Sequence, residues 1–257
     1  MAERTFASLI PRVNPSAPGC PQPLILQAIR DAAIRTCERT LAWRQVAPKM
    51  ALMPGVHEYE YPKPAGTDVH AVFSAVLNEQ SILQPITLDA ARELYPAWAD
   101  LYSGVAPDEL WTGTPSGTFG AFGYGAGAFN AGGPAEMTDA AMEKASEPRV
   151  IVTVTPDRFV VLPLPDNAKP YSLRLIYALK PKRSATGMDS VIMDELEDLL
   201  VHSALQDLLV MPSTNWGDRE LAAYHAKQYL SRVTERRARA NLGTARGTLR
   251  VKHLPFA

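Results

Sequence analysis

Between residues 189 and 241 apolar side chains recur at three- and four-residue steps, the strongest periodicity in the chain. Ile192, Leu196, Leu199, Leu200, Ala204 and Leu208 make one helical face; Ala222, Ala226, Tyr229, Val233 and Ala240 make a second. Met211-Pro212-Ser213 lies between them, and proline inside a helix loses a donor and clashes with the preceding turn. Gly243 stands just past the second run, where a left-handed cap is commonly needed. The stretch predicts a helical hairpin with arms of roughly 30–37 Å at 1.5 Å per residue.

The two arms differ in sign. Asp189, Asp194, Glu195, Glu197 and Asp198 open the first; Arg232, Arg236, Arg237 and Arg239 close the second. One reading is dipole compensation together with solubility. The other is that sign separation lets copies of the chain pack side by side, with Asp194, Glu197 and Asp198 of one copy facing Arg232, Arg236 and Arg239 of the next.

From Met1 to Gly19 the prolines predict loop. A helix then starts near Pro21–Pro23, with Ile25, Ile29, Ala33, Cys37 and Leu41 as its apolar row. Its stripe needs a partner, and the hairpin of residues 189–241 is the obvious one. In between, the period falls to two. Val56–Tyr61 alternates; Val69–Leu77 and Ser81–Ile86 flank a polar turn; Arg149–Thr155 and Arg158–Leu164 flank Pro156-Asp157. Tyr171–Leu179 is a further strand, and Asp89–Ala97 one short helix. The fold class expected is α+β: a helical bundle with an inserted small antiparallel β module and an extended C-terminal tail. Its parts are residues 1–48 with 187–243 for the bundle, 49–186 for the β module, and 244–257 for the arm.

Composition bounds the function. A hydrophobic content of 46% and a charged content of 21% predict a folded core, and a net charge of −1 argues against a surface that binds nucleic acid throughout. No apolar run is long enough to span a bilayer, and Met1-Ala-Glu-Arg-Thr lacks the features of a signal peptide. A soluble protein made in the cytoplasm is expected, with no membrane partner. Cys20 and Cys37 make neither a metal set nor a disulfide framework.

Residues 104–147 are glycine- and alanine-rich, with Phe119, Phe122, Tyr124 and Phe129 spaced along them. They read either as a contact loop or as a disordered surface loop. Gly123-x-Gly125 imitates a dinucleotide fingerprint without the strand and helix that give it meaning. Ser116 is one place late for a nucleophile elbow. The histidines His57, His70, His202, His225 and His253 are scattered; His202 and His225 alone can meet, across the hairpin, and two histidines do not make a catalytic zinc site. No catalytic residue, metal ligand or cofactor is predicted, and the chain is not expected to be an enzyme.

Several segments resemble one family in order along the chain. They are Leu9-Ile-Pro-Arg-Val13, Ala17-Pro-Gly-Cys-Pro21, Asp31-Ala-Ala-Ile-x-x-Cys-Glu-Arg-Thr-Leu-Ala-Trp-Arg44, Tyr177-Ala-Leu-Lys-Pro181, Glu220-Leu-Ala-Ala-Tyr-His225 and Arg237-Ala-Arg-Ala-Asn241. Together these resemble tailed-bacteriophage adaptor proteins, also called head-to-tail connectors, similar in role to the tail tubular protein A of short-tailed phages. Most of the chain is covered, except residues 104–147. The resemblance implies a structural virion protein at the head-to-tail interface, in a homo-oligomeric ring of twelve. It implies a portal protein above, a tail tube or nozzle protein below, and viral DNA passing through without sequence-specific binding.

The residues are compatible with that and add a mechanism. A ring needs heterologous contacts between two different faces, and the oppositely charged arms supply two. After Gly243, Leu249, Val251, Leu254 and Phe256 mix with Arg246, Arg250 and Lys252. Such a tail suits strand addition or groove binding on the portal; the plain alternative is a frayed end. A second functional class is a nucleic-acid-binding accessory protein that uses Arg232–Lys252 as a basic arm. Because residues 104–147 show no period, replacing Gly117–Gly133 by a short Gly/Ser linker should leave a soluble subunit with unchanged circular dichroism. Aggregation of that variant would place the aromatics in the core.

Overall fold

The computed structural model describes residues 3–56, 58–95, 145–212 and 214–242. The chain divides into two units, residues 1–43 with 179–257, and residues 44–178. In the first, where a loop was expected over residues 1–19, the described residues from Glu3 to Ser16 form regular structure instead. Strand β1 (Glu3–Thr5) leads into a 3-10 turn at Phe6–Leu9, the short helix α1 (Ile10–Val13) and a second 3-10 turn at Asn14–Ser16. Pro11 and Pro15 occupy opening turns, where a missing N–H costs nothing. Phe6, Leu9, Val13 and Ala17, spaced at helical steps, are fully buried.

Helix α2 (Gln22–Thr40) likewise carries a proline in its first turn, and Leu41 ends it in the left-handed region (φ 52°) with its N–H donating to Cys37 O at 2.9 Å. Ile25, Ala28, Ile29, Ala32, Ala33, Thr36, Cys37 and Thr40 form its buried face. Burial pushes the Cys37 thiol up to about 12, with Glu38 adding to it, so this sulfur is a packing group rather than a nucleophile. Two more long helices are α4 (Ser190–Leu209) and α5 (Arg219–Leu242). Asp189 caps α4 by accepting from Val191 N and Ile192 N, and Asp218 caps α5 by accepting from Glu220 N and Leu221 N. Helix α4 buries Met193, Leu196, Leu199, Leu200, Val201, Ser203, Ala204, Leu205, Leu208 and Leu209, more than one face, because it packs against both α2 and α5. Among the described side chains of α5, burial is confined to one stripe, Ala222, His225, Tyr229 and Val233.

The second unit overturns the fold class expected from the sequence. Its centre is not a small antiparallel module on a helical bundle but a sheet of eight strands. The strands are β2 (Arg44–Val46), β3 (Met50–Leu52), β4 (Glu58–Glu60), β5 (Thr67–Leu77), β6 (Ser81–Ile86), β7 (Val150–Thr155), β8 (Arg158–Leu162) and β9 (Tyr171–Pro181). Their order is β2-β9-β5-β6-β7-β8-β4, with β3 also paired to β9. The sheet is mixed: β6 and β7 run parallel, Gln84 beside Val150 and Ile86 beside Val152. The hairpins β5–β6 and β7–β8 are the antiparallel parts. In the first, Asn78 and Glu79 turn with positive φ (49° and 62°), the hand that matches strand twist. Asn78 Oδ1 then accepts from Ser172 N at 2.8 Å, tying the turn to β9. Helix α3 (Leu88–Leu94) lies on the β7–β8 face, over Val150, Val152, Val160 and Leu162.

Two reasons explain the difference. Strands β2 and β3 are three residues each, too short for alternation to register, whereas β4 falls within the alternating Val56–Tyr61. The parallel β6–β7 pair joins segments 63 positions apart (Ile86 to Arg149), a pairing no local pattern reveals. A small two-stranded sheet, β1 with β10 (Gly187–Asp189), completes the first unit. Phe6→Ala should cost about 3–5 kcal/mol, whereas Ala7→Ser, at an exposed position, should stay within about 0.5 kcal/mol. Urea denaturation of the two variants measures the difference; equal midpoints would remove the N-terminal segment from the core.

Candidate functional site: a charged face on the helical unit

Asp194, Asp198 and His202 follow one another at four-residue steps and so share a face of α4. Three arginines from other parts of the first unit meet that face. Arg4 on β1 donates to Asp194 Oδ1 at 2.5 Å and to Glu197 Oε2 at 3.1 Å. Arg12 on α1 reaches Glu197 Oε1 at 2.9 Å and Asp198 Oδ1 at 3.2 Å. Arg232 on α5 donates to Asp198 Oδ2 at 2.9 Å. The acidic start of one arm and the basic end of the other are thus joined within one chain.

Position comes from the backbone. Strand β1 pairs with β10 so closely that a Cβ on Gly187 would lie 2.4 Å from Arg4 O, so this contact needs glycine. Arg4 Nε also donates to Ser8 Oγ at 3.0 Å, fixing the stem of the side chain. On the adjoining surface of α4, Arg35 of α2 forks onto Asp207 at 3.1 and 2.6 Å and reaches Ser203 Oγ at 3.3 Å. The guanidinium of Arg39 lies 5.7 Å from the centre of the Tyr229 ring.

One turn beyond Asp198, His202 Nδ1 and His225 Nδ1 are 2.8 Å apart, so the two histidines do meet across the helix pair. Burial lowers both below the ordinary histidine range; for His202, Arg232, His225 and Arg12 lower it further, and Asp198 opposes them. Among the described residues no group of three or more His, Cys, Asp or Glu could hold a metal ion.

The ring-contact residues named from sequence separate into three kinds. Asp194, Glu197, Asp198 and Arg232 are engaged in the network above. Arg239 pairs with Glu235 one turn earlier at 2.6 Å, and Arg236 is half-buried on the same helix. The docking-arm residues Arg246, Leu249, Arg250, Val251, Lys252, Leu254 and Phe256 lie outside the described residues, as do Gly243, His57, Ser213 and residues 96–144. Sequence reasoning missed Arg4 and Arg12. The signal was the helical spacing of Phe6, Leu9, Val13 and Ala17, which the prolines masked.

What the arrangement offers is a rigid, charged protein surface. Residues 4–252 match the family described as SU10 adaptor protein. The chain belongs to the SU10 adaptor protein family. No curated protein matches the sequence. Family membership makes the adaptor a structural protein of a phage particle, a virion component that meets other head or tail proteins.

In the adaptor, hydrogen bonds from Arg4 and then Arg12 hold the Glu197 carboxyl below the usual carboxylate range. A depressed folded value means that the ionised carboxylate favours the fold. That contribution is complete above the ordinary value near about 4.3 and is lost as pH falls through the folded value. Glu197→Gln should therefore lower the melting temperature at pH 7 and converge on the parent protein as pH falls below the usual carboxylate range. Parallel thermal melts across that range test it; a constant offset at all pH values would refute the ionic origin.

Proposed function

We propose that the adaptor is one subunit of a closed homo-oligomeric ring, twelve-fold, that joins the portal to the tail tube or nozzle and lines part of the DNA exit channel. The observation that carries this reading is the family match over residues 4–252, which spans both units. The charged face is compatible with it. Asp194 and Asp198 keep side chains 64% and 58% exposed despite their internal partners, one guanidinium on Asp194 and two on Asp198, so each has acceptor capacity left for one guanidinium more. Arg236 and Arg239 of a neighbouring copy are the donors this reading assigns, giving a heterologous contact of the kind that closes a ring.

Residues 244–257 are the portal-docking arm in this proposal. Leu249, Val251, Leu254 and Phe256 supply apolar anchors, and Arg246, Arg250 and Lys252 supply charge. A single arm binds weakly once its ordering entropy is counted, but many arms on one ring share a single encounter. Electron microscopy of the purified protein with its portal is expected to show rings seated on portals. Truncation after Gly243 should leave the circular dichroism spectrum unchanged and abolish co-sedimentation with portal rings. Equal co-sedimentation of both forms would move docking onto the folded units, and steeply salt-dependent binding of free DNA would favour an accessory DNA-binding role instead.

A further inference from the structure

Helix α5 is held to the rest of its unit by a narrow stripe, and a histidine lies in the middle of it. His225 is 8% exposed and lies between Ala222 and Tyr229 on that stripe. Its Nδ1 stands 2.8 Å from Nδ1 of His202 on α4. Two imidazole nitrogens at that separation share one proton: one donates and the other must accept through its lone pair. The contact therefore exists when the pair carries a proton on only one of the two facing nitrogens. If both are protonated, two N–H groups point at each other and two positive charges meet at hydrogen-bond distance.

Among the described residues, the charged groups acting on His202 are mostly cations, which oppose that second charge. On α5, Arg232 acts on His202 as a further cation and the Tyr224 ring stands edge-on to His225, 5.3 Å between centres. From α1, Arg12 adds another positive charge. On α4, Asp198 is the one carboxylate acting favourably on His202, and it is already shared by Arg12 and Arg232. The cations that α2 brings to α4 and α5, Arg35 and Arg39, are engaged on Asp207 and on the Tyr229 ring.

We propose that the His202–His225 contact is an acid-released latch: near neutral pH it fastens α5 to α4, and uptake of a second proton by the pair opens that seam. The inference is independent of the ring reading, since it needs one chain only. Its sign follows from burial, which disfavours the charged imidazoles in the fold. Stability from the pair is complete above the unfolded histidine value, about 6.5, and declines as pH falls below it. The window is distinct from that of Glu197, which lies below the ordinary carboxylate range.

Hydrogen–deuterium exchange of the full chain at pH 7.5, 6.5 and 5.5, corrected for intrinsic exchange, reads the latch directly. Protection of amides in 219–242 should fall on acidification by up to about tenfold per pH unit for each proton taken up, while amides of β5 and β9 keep theirs. In the double variant His202→Gln/His225→Gln the profile for 219–242 should be flat over the same range. A parent profile that is flat, or one that the double variant reproduces, overturns the proposal. Should that variant not fold, nuclear magnetic resonance of the parent's imidazoles decides. Two coupled steps displaced to acid of ordinary histidine support the latch, and two independent titrations near 6.5 overturn it.

Discussion

A helix that is apolar around most of its circumference has to be enclosed on more than one side, and α4 is that helix here. Its ten buried side chains reach from Met193 to Leu209 without settling on a single face. Helix α2 covers one side with a row in which Ala28, Ala32 and Ala33 let the backbones approach. Helix α5 covers another with Ala222, His225, Tyr229 and Val233. The N-terminal segment supplies Phe6, Leu9 and Val13. The charged residues on α4 are left at the margin of this enclosure, which is why Arg4, Arg12 and Arg232 converge there rather than elsewhere.

Much of this was legible in the sequence where a period is long enough to be read. The rows on α2, α4 and α5 are three to six turns long, and the Leu173-Leu175-Tyr177 alternation in β9 is equally plain. Hairpins announced themselves through Asn78-Glu79-Gln80 and Pro156-Asp157. What was not legible falls under two physical headings. Three-residue strands such as Arg44–Val46 and Met50–Leu52 are defined by their partner, β9, rather than by their own composition. Proline-rich residues 3–17 looked like loop because a helix-breaking residue was weighed more heavily than its position; at the start of a turn proline breaks nothing.

The candidate site divides the same way. Opposite charge on the two arms could be seen in advance, and so could the meeting of His202 with His225. The internal Asp198–Arg232 pair could not be distinguished from a contact between copies, because both readings use the same residues. Arg4 and Arg12 depended on ordering the N-terminal segment, and on Gly187 allowing β1 to approach β10, neither of which leaves a periodic trace.

The charge balance of that face constrains how it can be used. Asp194, Glu197 and Asp198 stand against Arg4, Arg12 and Arg232, three carboxylates to three guanidiniums, so the face carries no net charge. A neutral network of this kind projects little field beyond a Debye length of about 8–10 Å at ordinary salt. Long-range steering of a partner is therefore not its role. Its effect is local: exposed acceptor positions on Asp194 and Asp198 are fixed in direction by the cations already bound to them, and an incoming guanidinium must approach from the open side. Affinity from such pairs is modest at an exposed surface, typically below about 1 kcal/mol each. Selectivity is where they contribute, since a misplaced carboxylate would meet the same fixed acceptors and be repelled. In the proposed ring, a face built in this way would orient a neighbouring copy that other contacts have already brought close.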